Sequence, residues 1–419
     1  MIKNIINTIG SKLGISLISF ILLIINSNYL GAAGLGSVGL IVLSITIVLL
    51  LSNLVNTSIV YFASRHNTGS LFFVSYIWSV FSVLFIYLLN QVFPFFPQEF
   101  GKDLYLLAFL QSGIVIHLNV LLGKEKIKSY NFYTVLQSTS TLAFLCFFFF
   151  VQDKVEVQSF INALFGSYSI VLFFSFINVI PHIKNVELSS FVSVFKDAFQ
   201  YGFFIQSASI FQLLNYRISY FILDLYSGRA SLGLYSAGVQ LSEALLLPGK
   251  SIAVVQYARI SKKKNEAYAQ RITLLFMKLS ILLTGIGTFI LLLLPSSFLT
   301  WLLGDSFFQI KSTIFAMSLG IIALSAEIIL SHYFSGTGRQ KKNSTSSFIG
   351  LSLTLIFAYL LIPTYGAVGA ALTSSIAFSG MLIYLFVLMN KHKGVHFSLF
   401  LPQQKDWTLI RRILLKYRK

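Results

Sequence analysis

The chain has 419 residues, of which 56% are hydrophobic and only 11% charged, with a mean hydropathy of +0.80 and a formal net charge of +18. Soluble globular chains carry roughly 25% charged residues, so lipid is the solvent for most of this surface and no stretch remains for a soluble domain. A single cysteine, Cys146, excludes an intrachain disulfide and a cysteine-built metal site.

Polar breaks divide the chain into twelve predicted spans, at about 11–30, 37–62, 70–93, 103–122, 131–151, 158–180, 199–224, 232–258, 271–294, 310–334, 344–362 and 366–390. Each is long enough to cross a hydrocarbon layer about 30 Å thick. The first is too long for a signal-peptide core and is read as a retained helix. Pro94, Pro97, Pro181, Pro295, Pro363 and Pro402 fall at predicted ends or beyond, as suits a residue that cannot donate to the helical ladder. Pro248 alone lies inside a span, where a kink or plain curvature is expected.

With the N-terminus in the cytoplasm, 25 of the 31 Lys and Arg fall on cytoplasmic segments. The opposite loops hold Lys102, Lys154, Arg229 and Lys311, while Arg217 and Lys250 lie within spans. The positive-inside rule therefore predicts both termini in the cytoplasm. The charge serves topology and implies no nucleic-acid partner. The tail from 396 to 419, with Arg411, Arg412, Lys416 and Arg418 among Ile and Leu, is either a basic amphipathic helix on anionic lipid or a solvated segment.

The two halves echo each other. Leu30-Gly-Ala-Ala-Gly-Leu-Gly-Ser-Val-Gly-Leu40 returns as Ser227-Gly-Arg-Ala-Ser-Leu-Gly-Leu-Tyr-Ser-Ala237, pairing Gly31 with Gly228, Leu35 with Leu232 and Gly36 with Gly233. An even number of spans separates the copies, so the repeat is parallel: six spans over 1–190 and six over 191–395. Glycine suits a tight turn between antiparallel helices, where φ is positive or backbones approach closely.

Gly10-Ser-Lys-Leu, the LGAAGLGSVGL turn, the polar run Ser52-Asn53-Leu-Val-Asn56-Thr57-Ser58 and Gly304-Asp305-Ser-Phe together resemble the polysaccharide-exporting branch of the multidrug/oligosaccharidyl-lipid/polysaccharide superfamily, above all the Wzx-type O-antigen flippases. The resemblance runs over about residues 1–395. It implies an all-α integral membrane fold of two six-helix, MATE-like bundles in the bacterial inner membrane. It also implies alternating access of a central cavity to undecaprenyl-pyrophosphate-linked oligosaccharide, with no cofactor, and a polymerase and glycosyltransferases as pathway partners. Better-described relatives carry several arginines on the first two helices, where this chain has asparagine and serine, so their phosphate sites do not transfer directly.

Sheltering a sugar headgroup and a pyrophosphate from hydrocarbon calls for a polar, cationic cavity. Charges inside spans are costly and are functional candidates by default. Arg217, beside Gln212 and Asn215 on the seventh span, offers a fork of donors to phosphate; the competing reading pairs it with Asp224 or Glu243. Gln240, Glu243, Leu247 and Lys250 recur on one face of the eighth span, with Lys250 as a phosphate ligand and Glu243 as its partner or a coupling-ion carrier. The repeat brings Asn53 onto Lys250, so Asn53 and Asn56 are expected either to contact sugar hydroxyls or to bond between helices. Glu327 and His117 are single intramembrane ionisable groups, read as cation-coupling or as packing residues.

Competing functions are a cation-coupled multidrug exporter, for which a compact acidic pocket is expected, and an O-antigen polymerase or membrane glycosyltransferase, which needs a larger extramembrane loop than any here. Neither a nucleotide-binding glycine motif nor a His-Glu-x-x-His sequence occurs, so no enzymatic chemistry is expected.

Overall fold

The computed structural model describes residues 2–63, 67–94, 96–183, 186, 191–262 and 265–390. The basic tail from 396 to 419 lies outside the described residues. Among the described residues the structure is helical without strands, in order α1 (Ile2–Asn56), α2 (Ile59–Phe62), α3 (Thr68–Val92), α4 (Gly101–Gly123), α5 (Ile127–Phe150), α6 (Val157–Val179), α7 (Phe191–Ala244), α8 (Leu247–Lys262), α9 (Glu266–Leu293), α10 (Ser296–Leu303), α11 (Ile310–Gly336) and α12 (Lys341–Asn390). In lipid each backbone polar group must be satisfied within its own segment, which is why a chain this apolar resolves into helices.

Three of these helices are far longer than a membrane is thick. At about 1.5 Å per residue, the 55 residues of α1 would reach roughly 80 Å if straight. Each long helix is broken by one glycine: α1 at Gly31 (φ 67°, ψ −173°), α7 at Gly228 (φ 77°, ψ 175°) and α12 at Gly366 (φ 53°, ψ −128°). Residues bearing a Cβ rarely hold such torsions. The chain doubles back there. Arg217 and Glu243, 26 residues apart on α7, touch at 3.3 Å, and Ser346 Oγ donates to the Met381 carbonyl across 35 residues of α12.

Counting the two arms of α1, α7 and α12 separately, the described residues contain a helix at each of the twelve predicted positions, and eight helices, α7 and α8 not among them, are long and apolar enough to cross a membrane. The boundaries differ at the turns. A six-residue connection was expected after residue 30, yet the helix resumes directly beyond Gly31, because one glycine with positive φ reverses the chain without a loop. The short helix α10 after Pro295 was not expected; at 8 residues it is too brief to show in a hydropathy reading.

The repeat has a structural signature. Gly31 and Gly228, matched by the 197-residue offset, adopt nearly the same unusual torsions, whereas Gly366 differs in ψ. Their partners Leu35 and Leu232 are both buried.

The chain forms two compact units. One comprises the residues up to Ile210 with Gly228–Ser236 and Thr300–Phe307; the other comprises Phe211–Ser227, Ala237–Leu299 and the described residues from Phe308 on. In the first unit, buried Ser52, Ser75, Ser79, Ser82 and Ser112 sit on α1, α3 and α4. Small side chains let helix backbones approach in lipid, where no hydrophobic force drives helices together. The second unit has an apolar core on α8, α9, α11 and α12, built around Ile260, Phe276, Met277, Ile329, Tyr333 and Leu385.

Candidate functional site

In the second unit, Arg217 is the centre of a polar cluster. Its Nη1 donates to the Tyr220 hydroxyl at 2.7 Å and its Nη2 to Glu243 Oε1 at 3.3 Å. Its guanidinium lies 5.2 Å from the centre of the Tyr220 ring. The fold-back at Gly228 makes this pair, since it brings the second arm of α7 alongside the first. The side chains of Arg217 and Glu243 stay 26% and 34% exposed, so neither is spent inside the bundle. Glu243, one of the two carboxylates the sequence offers, bridges Arg217; Asp224 is half-buried on the same arm as Arg217.

Asn215 points elsewhere. It is 2% exposed, accepts from Thr354 Oγ1 at 2.7 Å and donates to the Met381 sulfur at 3.0 Å. Gly350 leaves room for this bond, because a Cβ there would come within 2.6 Å of the Asn215 amide nitrogen. The structure thus places Asn215 inside the bundle, although it was grouped with Arg217 from the sequence. Two positions along a helix are about 200° of rotation, which puts neighbours on opposite faces.

Helix α7 ends at Ala244 and α8 begins at Leu247, which places Pro248 in the first turn of a new helix. There its missing N–H costs little. Leu245 and Leu246 close the break with bonds to the carbonyls three residues back. The kink expected at Pro248 is therefore a full interruption. Gln240 and Lys250 lie exposed on either side of it. Glu327 on α11 is 6% exposed, and its neighbours Ala326, Ile329 and Leu330 belong to the apolar core.

In the first unit, Asn56 is fully buried and its side-chain amide donates to Ser79 and Ser112 hydroxyls at 3.2 Å each, while its main-chain carbonyl accepts from the Asn119 amide at 2.8 Å. Sugar contact through Asn56 or Asn215 would require these bonds to open. Asn53 is half-buried. His117 is held on both nitrogens, by the Tyr76 hydroxyl at 2.8 Å and Ser175 Oγ at 2.7 Å, and stacks on Phe72 at 5.7 Å. A histidine so enclosed packs the bundle. His117→Leu should remove a partner from the Tyr76 hydroxyl and leave Ser175 only its bond to the Leu172 carbonyl, lowering stability by about 1–3 kcal/mol, read as a lower midpoint of thermal unfolding in detergent, with transport by the folded fraction unchanged.

One cluster of close contacts carries no local signal in the sequence. A Cβ on Gly36 would strike the Arg229 carbonyl, and a Cβ on Gly233 would strike the Ala32 carbonyl. The 197-residue offset relates Gly36 to Gly233 and Ala32 to Arg229, so the two repeated turns embrace reciprocally. Around them, Arg229 bridges Glu99 at 2.9 Å and donates to Ser37 at 2.9 Å. The Asn28 amide donates to the Leu302 carbonyl at 2.7 Å, and the Ala32 N–H donates to Ser306 Oγ at 3.0 Å. The matched small residues at 31–36 and 228–233 were the available signal, but their mutual contact is a tertiary fact.

Eight helices long and apolar enough to cross a membrane, with paired glycine turns among them, define a multi-span membrane protein of the fold used by membrane transporters. No family model matches the sequence. Its fold is that of "Lipid II flippase MurJ, inward closed conformation" (TM-score 0.74, 16% identity, covering 96% of this chain and 89% of that one). It is equally that of an inward-facing "multidrug resistance MATE family transporter of the MOP superfamily" (TM-score 0.72, 16% identity, covering 90% and 94%). In sequence the chain is 25% identical over 211 residues to the capsular polysaccharide biosynthesis protein CapF of Staphylococcus aureus, a match spanning 48% of this chain and 52% of CapF. An uncharacterized membrane protein of Methanocaldococcus jannaschii is 28% identical over 116 residues, 28% of this chain and 22% of that protein. The chain thus matches about half the length of one curated relative and less of the other.

Proposed function

We propose that this protein is a flippase that carries an undecaprenyl-pyrophosphate-linked oligosaccharide, such as an O-antigen or similar surface-polysaccharide repeat unit, across the bacterial inner membrane by alternating access. The observation that carries this reading is Arg217: a guanidinium set in a membrane span, anchored by Tyr220 and Glu243 yet still a quarter exposed. A guanidinium presents a planar fork of donors that suits phosphate oxygens. Lys250 and Gln240, exposed on α8 and α7, extend the proposed headgroup site, with Asn53 and, once their internal bonds open, Asn56 and Asn215 as sugar contacts. Glu327, and Glu243 with Asp224, are the proposed coupling-ion or charge-pairing groups. The fold shared with a lipid II flippase and the partial likeness to a capsular polysaccharide biosynthesis protein support this cargo class. A polymerase and glycosyltransferases of the same pathway are the proposed partners.

The fold shared with a multidrug transporter favours a second reading, cation-coupled drug export. Deleting the gene separates them. The flippase reading expects undecaprenyl-pyrophosphate-linked oligosaccharide to accumulate on the cytoplasmic leaflet, relieved by wild type and not by a well-expressed Arg217→Ala. Normal surface glycan together with raised drug sensitivity would overturn it in favour of export.

A further inference from the structure

Each unit carries an apolar groove headed by a lysine, and the two occupy matching places. In the first unit a groove of about 510 Å³ runs between α3 and α4 and is lined by Val80, Leu84, Tyr87, Leu106 and Phe109, with Lys102 at its end. In the second, a groove of about 670 Å³ between α9 and α11, closed by α12, is lined by Phe289, Leu293, Phe315, Val368 and Leu372, with Lys311 at its end. Within the repeat, α3 and α4 are spans three and four, and α9 and α11 are spans nine and ten. Lys102 and Lys311 are each the second residue of their helix, followed four positions on by an exposed apolar side chain, Leu106 or Phe315.

These lysines are poorly placed for stability. A cation in the first turn opposes the positive end of the helix dipole. The ammonium and the positive end of the dipole together make a position suited to an anion. Lys311 Nζ donates to the Leu294 carbonyl at 3.0 Å, which holds the ammonium at the groove and leaves two protons for another acceptor. Lys102 is exposed; its neighbour Asp103 is engaged by Gln158 Nε2 at 3.1 Å. Of the four basic residues that the charge distribution assigns to the extracytoplasmic side, two head these grooves.

We propose that the two grooves are lipid sites, each holding an acyl chain of an anionic glycerophospholipid in the extracytoplasmic leaflet, with the phosphate at Lys102 or Lys311. Charge complementarity selects the headgroup, and the predominantly apolar lining selects the chain. Duplication selects the source: two outward-facing copies in matching places fit an abundant bulk lipid, whereas a transported cargo has use for one site.

The test is native mass spectrometry of the full-length protein in detergent, titrated with phosphatidylglycerol and, separately, with phosphatidylcholine. A lysine near a lipid headgroup favours an anionic one by about five-fold. Two phosphatidylglycerol molecules are therefore expected to be retained at concentrations where phosphatidylcholine is about five-fold less occupied. Lys102→Ala and Lys311→Ala should each remove one of them, and the double variant both, with the unfolding midpoint in lipid-free detergent unchanged. Leu106→Trp and Phe315→Trp fill the grooves while keeping the charges, and should lower retention of both lipids. Equal retention of the two lipids, or unaltered retention by the double lysine variant, would overturn the proposal. Displacement of phosphatidylglycerol by equimolar undecaprenyl phosphate would overturn its choice of occupant.

Discussion

Arg217→Ala is expected to lower the rate of lipid-linked oligosaccharide translocation in proteoliposomes by about 10- to 100-fold while leaving the protein in the membrane. Hydrogen bonds to charged groups contribute about 1.5–3 kcal/mol, and 1.4 kcal/mol is a factor of ten. The same substitution removes the partners of Tyr220 and Glu243, so a second variant is needed to separate binding from architecture. Glu243→Gln keeps the guanidinium and discards the ion pair. If Arg217 acts on phosphate, Glu243→Gln should retain most of the rate, and Arg217→Lys, a point charge without the planar fork, should fall between. Equal losses in Arg217→Ala and Glu243→Gln would show that the ion pair, rather than cargo contact, is what the span requires.

Gly36→Val and Gly233→Val are the second pair of changes with large expected effects. Each introduces a branched side chain where the Cβ alone already meets a backbone carbonyl, Arg229 for Gly36 and Ala32 for Gly233. A carbonyl in a packed helix cannot swing aside as a flexible side chain can. Overpacking of this kind costs typically about 1–3 kcal/mol, seen as a lower unfolding midpoint, and the displaced turns should also weaken the Arg229–Glu99 bridge beside them. Both variants should behave alike, because the contact is reciprocal. Gly285→Ala is the matched control: a Cβ there meets nothing within 4 Å, and replacing a helical glycine should be neutral or favourable by up to about 1 kcal/mol. Wild-type stability of Gly233→Val would refute the close contact.

The identity of Arg217 as a candidate was legible because a charge within an apolar span is conspicuous in one dimension. Its partner was not. Glu243 reaches it because the chain reverses at Gly228. Asn215 and Asn56 were legible as polar groups in spans, but the direction of a short side chain is a matter of a few tens of degrees about the helix axis. Both asparagines fall inside their bundles, Asn215 about 200° around the helix from Arg217. His117 shows the same limit: its enclosure by Tyr76, Ser175 and Phe72 draws on three different helices or turns of helix.

By itself the sequence determined that this is a helical, multi-span membrane protein with an internal repeat at its glycine turns, since hydrocarbon thickness and backbone satisfaction leave an apolar chain of this pattern few alternatives. It also marked Gly31 and Gly228 as turns, because only glycine holds their torsions. Tertiary structure alone decided that the two turns clasp each other through Gly36 and Gly233, that Glu243 anchors Arg217, and that two lysines at matching helix starts head apolar grooves. Those facts join residues up to about two hundred positions apart. Hydropathy and local spacing carry no record of such contacts, which exist only once the helices have packed.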